Sequence, residues 1–487
     1  MPIMPSISAA LNSPPSRFFS MSSRKTMTFV RRGLRGSYHV VCWSIFGRTV
    51  DISPFAALRY SQTRSLDIDR CISLPYDQFG DEGREERYSR HPHNVVRLIK
   101  PRPGKEPIQE MARRTLASWC RERVLVADER PGIYPYRQRF DLPGVSVAEE
   151  RWGFICRLRL TPFETGPVKA HELTYPGTVG ERSQLRKIVD ADLGLILVIY
   201  DDPDGNIDRL VRGAAERAEL FEATDESGTA NALWKWDQPD QVEALCQGLA
   251  PSDGFIADGH HRYTAALQHW QGNETSSDDP ERWVMAALVS ASSPGLRILP
   301  THRITELAPG DAQFTAWSAA GLEILTLTES TDPTVVAVAA SRALAEGLAD
   351  HTIVVVHRSE NALKAELVRA DRGSLAPALL SCGVPKSWSD LDVSVLHSLM
   401  LDPWMSDALR DQTEEHGALG YCNEYLESIE IVARGDRGGA FLINPLRISE
   451  VQGVVAAGDV LPPKSTNFFP KVVAGLTINA FSDLVDS

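Results

Sequence analysis

The run Gly254-Phe-Ile-Ala-Asp-Gly-His-His-Arg-Tyr263 constrains this chain more than any other, because ten residues hold a short strand, a glycine turn and the start of a helix. Phe255, Ile256 and Ala257 read as the apolar end of a strand, and Asp258-Gly259 supplies the sharp turn after it. A helix beginning near His260 would aim its free N–H groups and its positive dipole end at an anion. Gly259, His260 and His261 then stand where phosphate oxygens would be held, and Arg262 adds a charge that does not titrate away. Tyr263, Leu267 and Trp270 fall at i, i+4 and i+7, an apolar stripe that stops before Gly272-Asn273. The plainer alternative makes Asp258 an N-cap, packs one histidine and leaves Arg262 in solvent.

The 487 residues are enough for two or three ordinary domains, and 43% hydrophobic with 24% charged residues describe a globular protein. The longest apolar run, Leu193 to Tyr200, suits a buried strand, since a membrane helix needs roughly 20 residues. No membrane partner is therefore expected, and a cytoplasmic location is. Seven scattered cysteines (Cys42, Cys71, Cys120, Cys156, Cys246, Cys382 and Cys422) include no CxxC pair, which argues against a disulfide framework or zinc ribbon. The net charge of −13 disfavours nucleic acid as a partner. Residues 1–50 hold seven Lys or Arg and no acid, so removing those seven charges leaves the body at −20. This basic, Ser- and Met-rich leader is expected to be either disordered or an organelle-targeting segment.

From about Asp51 short strands alternate with amphipathic helices, without internal repeats, and predict a mixed α/β fold of the α+β type. Helices are expected over 106–124, from Ile207 through Ala218, and over 334–348. Strands are expected at Leu193–Tyr200, Trp283–Val289, 352–357, 364–370 and 439–443. Gly153–Leu160 alternates like a half-exposed strand. The polar, proline-containing stretch around Glu306–Ala312 suggests a boundary. It divides a first, site-bearing domain at 51–305 from a second mixed sheet-and-helix domain at 306–487.

Three further clusters accompany the glycine turn. At Lys169-Ala-His171-Glu172 a carboxylate sits beside a histidine. Glu172 would take a proton from a hydroxyl, and partial burial would raise its pKa toward neutrality. Arg182 and Arg186 share a face if their segment is helical, and would clamp an anion. His302 and Arg303 follow a strand and an extended segment, and would reach the same pocket. Finally, Leu461-Pro-Pro-Lys464-Ser465-Thr466-Asn-Phe-Phe-Pro-Lys471 puts two lysines and two hydroxyls on a chain stiffened by three prolines, suited to a phosphate or carboxylate. The sequence lacks GxxxxGK[ST], a GxGxxG after a strand, HExxH and GxSxG, so the common ATPase, dinucleotide, zincin and hydrolase plans are absent. Asp258 suits Mg2+ shared with a substrate phosphate better than a zinc site.

"GFIADGHHRYTAALQ" resembles the signature of free serine kinases of the ParB and sulfiredoxin-like superfamily, and "KAHELT" resembles the segment bearing their catalytic glutamate. A wider resemblance, from about Asp51 to Phe481, joins "LPYD" (Leu74 to Asp77), "HELT", "ADGHHRY", "LPTHR", "LDVSVLH" (Leu391 to His397) and "PPKSTNFFPK" to the family called domain of unknown function 1015. The first resemblance implies a ParB/sulfiredoxin-like first domain carrying insertions. It implies Glu172 and His171 in the catalytic set with Asp258 and His260. The 258–262 corner would then hold the phosphates of ATP or ADP and any Mg2+, and serine or a related hydroxy amino acid would be the acceptor. This chain departs from that pattern by a long insertion between the motifs, an added C-terminal domain, and Gln78-Phe79 after Asp77. A phosphoester hydrolase and a non-catalytic nucleotide or metabolite sensor are the competing expectations; oligomeric state is left open.

Overall fold

The computed structural model describes residues 26–32, 38–44, 50–142, 147–217, 220–249, 252–271, 279–409 and 418–482. Within them the chain is a mixed α+β protein built on two large sheets. In the basic leader, Thr26–Arg32 and Tyr38–Ser44 pair as an antiparallel hairpin. The rest of residues 1–49 lies outside the described residues, as do Ala218 and Gly272-Asn273.

The first sheet has nine strands, in the order Phe221–Thr224, Ala230–Leu233, Tyr134–Phe140, Glu149–Arg159, Trp283–Ser290, Ile196–Tyr200, Gly254–Asp258 and Val168–Lys169, with Ile52–Ser53 also paired to Glu149–Arg159. Ile196–Tyr200 is entirely buried, as its unbroken apolar run predicts. It runs parallel to Trp283–Ser290 and antiparallel to Gly254–Asp258. Glu149–Arg159 corrects the half-exposed expectation for this stretch. Arg151 through Cys156 are buried, because Ile155 faces one hydrophobic cluster and Phe154 and Cys156 face another on the opposite side of the sheet.

The second sheet is antiparallel throughout, in the order Glu323–Ser330, Leu363–Ala370, His351–Arg358, Gly439–Ile443, His302–Thr305 and Leu419–Cys422. Helices Pro333–Glu346 and Tyr425–Arg434 cover one face through Val336, Ala340, Ile429 and Val432. The other face contributes Ile353, Val355 and Phe441 to the same cluster that holds Leu197, Ile199 and Phe255 of the first sheet. One shared core thus joins the sheets, and His302–Thr305 lies in the second sheet, ahead of the stretch where the sequence suggests a boundary.

The last described segment forms small ladders of its own beside the first sheet. Asn467–Phe469 pairs with Arg297–Leu299, Ala474 bridges to Ser73, and Asn479–Ala480 pairs with Ala191–Asp192. Buried Arg151 fastens this strap by donating to the carbonyls of Phe469 and Pro470, and the Gln138 amide donates to the carbonyl of Lys471. Those bonds decide where the strap's lysines stand. Among the described residues no cysteine is in a disulfide.

Candidate functional site

The strand–turn–helix corner forms as its residues dictate. Gly254 lies where an added Cβ would come 2.8 Å from the Ile199 carbonyl oxygen, so only glycine lets this strand sit so close to its neighbour. Gly259 turns the chain at φ +91°, a conformation that L side chains rarely adopt. The helix His260–Gln271 follows at once, burying Tyr263 and Leu267 while Trp270 packs beside them.

His171 and His260 meet behind this corner, their rings 4.5 Å apart and nearly perpendicular. The His171 Nδ1 is 2.6 Å from the Ile256 carbonyl oxygen. A carbonyl only accepts, so Nδ1 carries the proton and Nε2 accepts from the Thr466 hydroxyl at 3.0 Å. The backbone N–H of His171 donates to His260 Nε2 at 3.3 Å. Burial pushes the His171 pKa down to about 4 and drives that of His260 well below its ordinary value, so both rings are neutral at pH 7. His261 Nε2 accepts from the Tyr175 N–H at 3.0 Å, with the two rings stacked. Each of these two corner histidines therefore keeps Nδ1–H as its donor.

Asp258 anchors the charges. Burial raises its pKa, but Lys471 and Arg262 outweigh that effect and hold it low, at about 2. Its two oxygens lie 3.3 Å from Lys471 Nζ and 2.5 Å from Arg262 Nη2. Arg262 also donates to the Leu195 carbonyl and stands 3.9 Å from Asp77. Glu172 follows His171 directly and keeps an exposed surface. Among the described residues nothing hydrogen-bonds its carboxylate. Its pKa is nevertheless raised, first by desolvation from the surrounding chain and then by Asp258, with Lys464 and Lys471 opposing. The structure therefore brings Glu172, Asp258, Arg262, Lys464 and Lys471 into one electrostatic neighbourhood, with Asp77 as an additional carboxylate. Sequence reasoning did not single out Asp77, although it is the last residue of the LPYD segment and lies in the short turn Tyr76–Gln78.

Other expected residues play different parts. Helix Pro176–Val189 carries Arg182 and Arg186 at helical spacing, but no clamp results. Arg186 is consumed by Asp192 at 2.8 Å, His269 at 3.1 Å and the Trp283 carbonyl at 2.7 Å. Arg182 donates to the Ile99 carbonyl and to Glu181, with its guanidinium 4.1 Å above the Tyr76 ring. His302 and Arg303 have no exposed surface, which corrects the expectation that they reach the pocket. His302 accepts from the Ile443 N–H and packs on Tyr425, while Arg303 donates to His397, Thr301 and Pro463. Ser465 is buried with its hydroxyl on the Pro462 carbonyl, so it too offers no donor to a ligand. Arg303 does contribute indirectly: it and Lys464 flank the Tyr421 ring at 5.4 and 5.9 Å.

A cavity of about 650 Å³, counted out to its open mouth, lies beside the corner. Arg262 and Tyr76 belong to its wall, whereas Glu172, Asp258 and the strap lysines do not. Of the catalytic candidates Glu172 is exposed, whereas His171 and His260 are buried and Asp258 is mostly so. No group of three His, Cys, Asp or Glu side chains among the described residues could hold a metal ion. A divalent cation at Asp258 would need most of its oxygen ligands from a bound phosphate and water, which is how Mg2+ is commonly held.

This arrangement gathers charged side chains of both signs at one corner of an α+β scaffold. Residues 52–394 match the model of a family described as protein of unknown function, DUF1015, and the chain belongs to that family. No curated protein matches it. Among solved structures, a mutant free serine kinase in complex with AMP aligns at TM-score 0.33 and 14% identity, covering 68% of this chain and 90% of that one. A conserved hypothetical protein from Pyrococcus furiosus gives 0.30 and 13%, covering 66% and 93%. SbnI with a C-terminal truncation, from Staphylococcus aureus, gives 0.30 and 13%, covering 66% and 87%. Among the described residues no helix is long and apolar enough to cross a membrane.

Proposed function

We propose that this site transfers the terminal phosphoryl group of ATP or ADP to the hydroxyl of a small metabolite, with serine or a related hydroxy amino acid as acceptor. The observation that carries the reading is the bond from the His171 N–H to His260, which ties the residue preceding Glu172 to the corner; the electrostatic influence of Asp258 and Lys471 on Glu172 supports it further. The acceptor follows from the likeness of "KAHELT" and "ADGHHRY" to the free serine kinase motifs.

In this mechanism Glu172 accepts the proton of the substrate hydroxyl as its oxygen bonds to the terminal phosphorus and the bond to the nucleotide's bridging oxygen breaks. Its raised pKa makes it a stronger base than an ordinary carboxylate. The helix N-terminus at His260, the Nδ1–H of His261 and the strap lysines balance the charge on the phosphate oxygens. Lys471 is 3.3 Å from Asp258, loose enough to exchange that contact for a phosphate oxygen. Mg2+, when bound through Asp258, would neutralise phosphate charge.

The test is incubation with Mg2+, ATP or ADP and a panel of hydroxy amino acids. Wild-type protein should form a phosphoester, and Glu172→Ala should lose turnover while binding nucleotide as before. Undiminished turnover in that variant rejects Glu172 as the base. Phosphate release from phosphoserine without nucleotide would mark a hydrolase instead, and tight nucleotide binding without product a sensor.

A further inference from the structure

The cavity beside the corner is lined chiefly by aliphatic side chains, among them Leu185, Leu193, Val284 and Val472. Three arginines in its wall break that pattern, Arg182, Arg186 and Arg262, and two of them keep an unfilled donor. The side chain of Arg182 is 8% exposed and that of Arg262 12%. The Nε–H of each is buried and finds no acceptor among the described residues. Buried guanidinium donors are ordinarily satisfied, so two cavity-lining arginines that each keep an unfilled donor are a polar break in an otherwise aliphatic wall, suited to a ligand with acceptor atoms. The Arg182 guanidinium carbon also stands 4.1 Å from the centre of the Tyr76 ring, so an aromatic ring and a guanidinium already meet in that wall.

We infer that this cavity takes the heteroaromatic base of the nucleotide. The inference rests on the phosphotransfer reading and places the donor: Arg262 forms the partition between a base compartment and the phosphate corner at Asp258–His261. A flat ring with acceptor nitrogens on its edge matches both the aliphatic lining and the open Nε–H groups. A hydroxy amino acid does not, because its two charges and small body gain nothing from apolar walls. Arg186 shares the wall but has its donors filled, so it supports the compartment without reading the ligand.

The experiment compares binding of ADP with binding of inorganic pyrophosphate, which has no base, by calorimetry. Ala265→Phe and Val472→Phe fill the cavity from the helix and from the strap respectively. Each is expected to weaken ADP about tenfold or more while leaving pyrophosphate affinity unchanged. Retained pyrophosphate binding and an unchanged melting temperature identify a folded variant, and two walls guard against one substitution failing to fold. Folded variants that bind ADP as the wild type does overturn the inference, as does a wild-type protein that binds ADP no better than pyrophosphate. Because binding is measured, the two readings fail separately. ADP held through the cavity without phosphoester formation ends the transferase reading alone, and phosphoester formation by variants with unaltered ADP affinity ends the cavity assignment alone.

Discussion

Two buried ion pairs stand beside the same cavity, through Arg186 and Asp192 in one and Arg262 in the other, and they are finished to different degrees. In the first, Arg186 is bonded to Asp192, His269 and the Trp283 carbonyl, and Asp192 in turn accepts from the Met285 N–H and the Asn479 amide. Every strong group there has a protein partner. In the second, Asp258 is shared between Arg262 and Lys471, the Arg262 Nε–H is open, and Glu172 next door accepts from nothing among the described residues. Completed buried charge holds elements together, whereas incomplete charge beside an open surface is available to a ligand. The sharpest test of that contrast is Glu172→Gln, which keeps the shape and removes the base. Turnover should drop by about 10²–10⁴-fold with the melting temperature unchanged. A variant that melts early and keeps its specific activity would reverse the assignment.

The converse test is Arg186→Met. It strands Asp192 in the interior and should cost about 3–5 kcal/mol in denaturant unfolding. Arg262→Met should cost less, because Lys471 remains beside Asp258, yet should weaken nucleotide binding. Equal losses of stability from the two substitutions would erase the distinction between the pairs.

How much of this was legible in the sequence follows from how local each signal is. Gly254–Tyr263 was, since strand, turn and helix are specified by neighbouring residues, and the structure places its helix at His260–Gln271. The helical spacing of Arg182 and Arg186 was legible too, but their partners were not. Ile99, Asp192 and Trp283 lie on other elements, and no local period announces them. His302-Arg303 looked like a polar loop because a four-residue strand is too short to show alternation, and its burial comes from Gly439–Ile443 and Leu419–Cys422 pairing on either side. The strap's lysines were noticed for their chemistry, while their position depends on Arg151 and Gln138, some three hundred residues away in the chain.

The acid limb of activity provides a finer test. Glu172 must be ionised to act as a base, and its pKa is raised, so kcat/KM should fall with decreasing pH at a higher pH than an ordinary glutamate would give. Lys471 opposes that rise, hence Lys471→Met should move the limb further up. The same substitution removes the cation with the larger influence holding the Asp258 pKa down. Asp258 has a folded pKa of about 2, below its unfolded value of about 3.9, so its contribution is complete above about pH 4 and is lost as pH falls toward 2. In Lys471→Met that loss should begin at higher pH. An acid limb and an acid-unfolding midpoint that both stay fixed would show that Lys471 does not govern this cluster.

The smallest expected effect separates the histidine behind the corner from the charges in front of it. His171 is held neutral with a folded pKa of about 4, against about 6.5 when unfolded. Between those values the unfolded chain binds more protons, so stability rises with pH through that window and is level above it. His171→Asn should flatten the slope by the share of this one group, measured as unfolding free energy at closely spaced pH values. It should also loosen the strap, because the Thr466 hydroxyl loses the Nε2 acceptor. Faster amide exchange confined to residues 461–471 would trace that loosening to this bond, and exchange unchanged there would show that the Arg151 contacts hold the strap alone.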